Sequence, residues 1–179
     1  MTGNDKSIAK DIFISYNGSH FQMKRDGVYD EYKNYNICHE QEIRWIKEHI
    51  DHLLTKLEDK SIVDNDFMNL TSILKQYKIN EKFNDLLNWA KIKTTKVDIF
   101  TNLRIAEEIL DIVKSYEDSG FPNPEVIEEA RSLSKRILLD IDKKPVTVAQ
   151  YYKNISYLKD CIDDNTIKKR IKMNLEDID

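Results

Sequence analysis

Two sets of side chains have types and spacing that could do chemistry. On a long helical segment, His49 and His52 stand three residues apart, close enough in a helix to share a metal ion, with Glu48 one turn before His52. Two imidazoles make half of a tetrahedral zinc shell, so His20 or His39 would have to complete it. His39-Glu40-Gln41-Glu42-Ile43 opens like the His-Glu-x-x-His of zinc proteases, but Ile43 stands where the second histidine is required. Trp45 shares the flank of His49 and His52, and an aromatic–histidine flank is ordinarily the rim where a helix meets its neighbour. No cofactor is expected.

The second set lies in Ile12–Tyr35, which carries six aromatic residues, two glycines and His20. There His20 could move a proton near neutral pH, Arg25 could hold a phosphate or carboxylate, and Tyr16 or Tyr29 could position a ligand. The competing reading is structural: the tyrosines cover the end of a helical core and Arg25 pairs with Asp26 or Glu31.

A basic run, Lys168-Lys169-Arg170 with Lys172, marks the last helical segment and is the one candidate for nucleic-acid contact. It has no interleaved aromatics, and the chain carries a net charge of −4; both count against nucleic acid as a partner. The four glycines are isolated, which excludes a glycine-rich phosphate loop. Cys38 and Cys161 form no C-x-x-C pair and no disulfide framework, as suits a reducing compartment. Met1–Ser7 has no apolar signal-peptide core, and no stretch approaches a membrane span. A cytoplasmic protein is expected, with no membrane partner.

The elements that must position these residues read almost wholly as helix. After a loose first ten residues, Ile12–Tyr16 and His20–Met23 flank Asn17-Gly18, the dipeptide suited to a tight hairpin turn. Val28, Tyr32 and Tyr35 then share one side of a short helix. Ile43, Ile46, Ile50, Leu53, Leu54 and Leu57 form one apolar stripe. Further helices carry Phe67–Tyr77, a segment capped by Asn80, and a six-turn helix beginning near Thr95 and closed by Gly120. Another restarts at Phe121-Pro122-Asn123-Pro124, with Asn123 as cap and Pro124 in the first turn. Thr147-Val148-Ala149-Gln150 has the form of a capping box for a helix running to Ile162, and a last helix buries Ile167, Ile171 and Leu175.

The expectation is an all-α chain: a helical bundle of about seven antiparallel-connected helices with a small N-terminal β-hairpin. Residues 1–36 would form the hairpin and short helix packed on a bundle of residues 37–179, in one compact domain. A non-catalytic helical protein that binds another protein, or its own copy as a homodimer, is the leading functional expectation. Its composition would suit a bacterial regulatory or accessory role. Tyr151-Tyr152 with Tyr157 offers interface material, with at least one of the three partly exposed. An enzyme using the N-terminal segment and the long helix is the alternative, and nucleic-acid binding the second.

Overall fold

The computed structural model describes residues 3–60, 64–120 and 123–178, and every element among them is a helix. Residues 61–63 and 121–122, which include part of the break after Lys60 and the Phe121-Pro122 start of the restart signal, lie outside the described residues. No described helix is long and apolar enough to cross a membrane. The chain divides into two compact units, Met1–Thr55 and Lys56–Asp179, and the division falls within one helix.

The first unit contains α1 (Gly3–Ser15), α2 (His20–Arg25), α3 (Tyr29–Lys33) and most of α4 (His39–Glu58). The expected hairpin is absent; its two strands are the end of α1 and the first four residues of α2. Asn17 and Gly18 do take left-handed backbone, with φ of 50° and 75°. They use it to end a helix: Gly18 N–H donates to Phe13 O and Asn17 N–H to Ile14 O, both at 2.9 Å. That is the paired bonding of a Schellman cap. Ser19 then starts α2 by accepting from the Gln22 amide through its side chain. The same ending recurs after α2, where Gly27 has φ of 77° and Val28 N–H donates to Met23 O. Ala9, Phe13 and Met23 are fully buried. Ala9 and Phe13 are one helical turn apart, so they share a face only if the segment is helical.

The second unit contains the last residues of α4, then α5 (Asn65–Tyr77), α6 (Asn80–Lys93), α7 (Ile99–Asp118), α8 (Pro124–Asp142), α9 (Gln150–Lys153), a 3-10 helix (Ser156–Cys161) and α10 (Asp164–Ile178). Helix α7 is its axis: α5, α8 and α10 pack against it, and twelve of its twenty residues are buried. Asp98 starts α7 by accepting from Thr101 N–H at 3.1 Å and from the Thr101 hydroxyl at 2.6 Å. Asn123 caps α8 as its sequence implies, and Pro124 occupies the first turn. By contrast, α6 begins one residue after Ile79, and Asn80 lies inside the helix rather than capping it.

The capping box at Thr147 is put to another use. Thr147 accepts from Ile99 N–H through its hydroxyl at 3.0 Å and from Phe100 N–H through its carbonyl at 3.1 Å, so it satisfies the first amides of α7. The helix expected over residues 148–162 is accordingly broken into four-residue α9 and the 3-10 helix, joined through extended backbone at Ile155. Tyr152 anchors the segment, 1% exposed and edge-on to Phe100 at 4.9 Å.

The buried charged groups of this unit are matched. Glu108 accepts from the Thr71 hydroxyl at 2.9 Å and the Lys75 ammonium at 3.3 Å. Lys93, 8% exposed, donates to the carbonyls of Leu57 and Glu58, both at 3.1 Å. Burial pushes its ammonium below the ordinary lysine range; Lys96 adds to that and Asp59 opposes it.

Tyr116 is fully buried near the end of α7, its ring 5.2 Å from that of Phe83. Burial raises its phenol well above the usual tyrosine range. A raised folded-state pKa means that, above the unfolded value, the unfolded chain has lost a proton the folded chain keeps, so stability falls as pH rises. In urea melts from about pH 9.5 to 11, wild type should therefore lose stability more steeply than Tyr116→Phe. Parallel profiles would contradict this.

Candidate functional site

Glu42 is the organising residue of the first unit. It lies in helical register with Trp45, Ile46, His49 and Ile50, which puts a carboxylate on the buried side of α4, 7% exposed. The Tyr32 hydroxyl donates to its Oε1 at 2.6 Å, and His20 Nε2 lies 2.9 Å from the same oxygen. His39 Nδ1 stands 3.7 Å from Oε2. A carboxylate oxygen accepts, so the short contact places a proton on His20 Nε2.

Aromatic rings enclose this pair. Phe13 stacks on Tyr32 with centroids 5.5 Å apart and touches Trp45 at 6.0 Å. The His20 ring lies 5.8 Å from Phe13, 5.4 Å from Tyr29 and 5.6 Å from Tyr32. His20 keeps 39% of its side chain exposed, so one edge of the imidazole reaches solvent while the other is held. A carboxylate that fixes the tautomer and orientation of an imidazole is the orienting half of an acid–base relay. The same bonds also satisfy two polar groups at the junction of α2, α3 and α4.

Of the residues expected to bind a ligand here, His20 and Tyr29 are brought together. Arg25 is exposed and bound to Asp26 through Nε at 2.7 Å and Nη2 at 3.2 Å. This hydrogen bond and charge raise the guanidinium's pKa, with a smaller contribution from half-buried Tyr16. They hold Asp26 below the usual carboxylate range. Tyr29 carries the Lys24 ammonium over its ring at 4.7 Å.

His49 and His52 both lie on α4. Nε2 of His49 lies 3.3 Å from Asn17 Oδ1, which links α4 to the cap of α1, and His52 is exposed. Among the described residues, no group of three or more His, Cys, Asp or Glu is arranged to hold a metal ion.

The basic run on α10 divides in two. Arg170 grips Glu107 with Nε at 3.0 Å and Nη2 at 2.5 Å, and lies over the Phe100 ring at 5.6 Å. Lys168 donates to the carbonyls of Ile141, Asp142 and Lys144 at the end of α8. Lys169 and Lys172 are exposed.

Sequence reasoning took Glu42 as part of a failed zinc motif and Tyr32 as one side of a short helix. The available signal was a charged residue in the register of an apolar stripe, which requires a buried partner. No protein-family model matches the chain, and no similarity to a curated protein or to a solved structure is found.

The chain's two tryptophans fall one in each unit, so Trp45 fluorescence in a Trp89→Phe background reports the first unit alone. Glu42→Ala in that background should cost about 1–3 kcal/mol in denaturant melts, because the buried Tyr32 hydroxyl loses its acceptor. Glu42→Gln, which keeps an amide oxygen there, should cost less. Equal losses would show that acceptance by Glu42 does not matter.

Proposed function

We propose that this is a non-catalytic cytoplasmic protein that works by binding another protein through the segment formed by α9 and the 3-10 helix. The observation that carries the reading is the treatment of its three tyrosines. Tyr152 is buried as an anchor, while Tyr157 is 79% exposed and Tyr151 48% exposed, the latter braced edge-on against Tyr152 at 5.4 Å. Most of the described phenylalanines and several tyrosines are buried, so large aromatics left in water stand out. Tyrosine is well suited to this: a rigid apolar ring with a polar tip loses little entropy when covered.

The charge of −4 fits a protein partner better than a phosphate backbone, and Arg170 and Lys168 are already engaged within the chain. A regulatory or accessory role agrees with a small helical protein whose first unit uses its His–Glu–Tyr cluster to hold three helices together.

A photocrosslinking amino acid placed at Tyr157, with an equivalent at exposed Lys169 as control, tests the reading in the native host. The expected result is a discrete protein adduct at position 157 and none at 169; an adduct at twice the chain's own mass would identify the partner as a second copy. No protein adduct at 157, or the same adducts at both positions, would overturn it.

A further inference from the structure

The second unit holds a cavity of about 720 Å³ that none of the preceding arguments uses. Its wall comes from the end of α6 and the residues after it, the first turn of α7, the second half of α8, and the strap that carries Thr147. The volume falls in the range of small-molecule sites. Val97, Ile99, Ile137, Ile141 and Pro145 make an apolar lining.

Two polar features distinguish it from a packing defect. Asn102 lies in the wall, 3% exposed; its Nδ2 donates to Val97 O at 3.3 Å, and its Oδ1 is buried with no hydrogen-bond partner. Buried acceptors are rarely left unmet, so an unmet one beside a cavity calls for a donor from outside the chain. The second feature is charge. Lys91 is paired with Glu129 at 2.6 Å and Lys144 with Asp140 at 2.5 Å, whereas exposed Arg136 has no ion-pair partner among the described residues. The lining therefore presents one uncommitted cation, in the fork geometry that suits a carboxylate, sulfonate or phosphate group.

We propose that this cavity binds a small amphiphilic organic anion: an acidic group on Arg136, an apolar body against Ile99, Ile137 and Ile141, and an N–H or O–H donated to Asn102 Oδ1. Helices α6, α7 and α8 meet there with the Thr147 strap, so an occupant touches the start of the unit's central helix.

Anilinonaphthalene sulfonate combines these parts (a sulfonate, two apolar ring systems and one N–H) and is the probe. Fluorescence titration and equilibrium dialysis of the full chain should give saturable binding of one dye per chain. Arg136→Glu should weaken it at least about tenfold. Thr95→Trp, an exposed position in the cavity wall, should abolish it by filling the space. The N-methylated dye, which has no N–H, should bind more weakly than the parent. Phe21→Ser, at a side chain 76% exposed in the first unit, should leave binding unchanged and so exclude general adhesion to exposed apolar surface. No saturable binding up to about 1 mM dye overturns the proposal, as does binding left unchanged by Arg136→Glu or by Thr95→Trp. Equal affinity for the N-methylated dye overturns it too.

Discussion

Helix α7 has an apolar face too broad for one neighbour to cover, and the second unit is the solution to that constraint. Leu103, Ile105, Ala106, Ile109, Ile112, Val113 and Tyr116 spread over about half of the helix circumference rather than one narrow stripe, and each is at most 2% exposed, while Asp111 and Lys114 on the other side are exposed. A narrow apolar stripe needs one neighbour; this broad face needs cover from several. Helices α5, α8 and α10 supply it, and the strap at Thr147 closes the N-terminal end by taking the first two amides. Burying such a helix removes several hundred square ångströms of apolar surface from water, at roughly 25 cal/mol per Å².

Enclosure has a cost wherever a polar group is carried inside. Glu108 in the second unit and Glu42 in the first show the same remedy: a hydroxyl from a neighbouring helix donates to the carboxylate, and a basic side chain lies beside it. Lys93 meets the reverse need by donating to the last carbonyls of α4, groups that a helix end leaves unsatisfied. Asn102 Oδ1 is one of several buried side-chain atoms without a partner, and its place in a cavity wall is what turns it into an argument for a ligand.

Much of the helical framework was legible because it rests on local signals. The stripe of α4, the Asn123-Pro124 start of α8 and the Gly120 end of α7 are written in adjacent residues, and the structure uses them as written. Asn17-Gly18 misled because a hairpin turn and a Schellman cap both ask for left-handed backbone, and the dipeptide cannot choose between them. The choice was made by Phe13, whose ring stacks on Tyr32 from a distant helix. Thr147 misled for a related reason: its capping groups serve Ile99 and Phe100, some 48 residues away from it in the chain. The candidate site was half legible. His20 and Tyr29 stand out by type, but their partner Glu42 is one charge among many until α4 is seen to bury it.

Native-state hydrogen exchange addresses the enclosure of α7 most directly, because it ranks segments by the free energy of opening them. The amides of residues 103–113 should exchange slowest in the second unit, and only through its global unfolding. Those of α9, the 3-10 helix and α10 should exchange through smaller openings. If residues 103–113 exchange as fast as α10, then α7 is not the axis on which the unit is built.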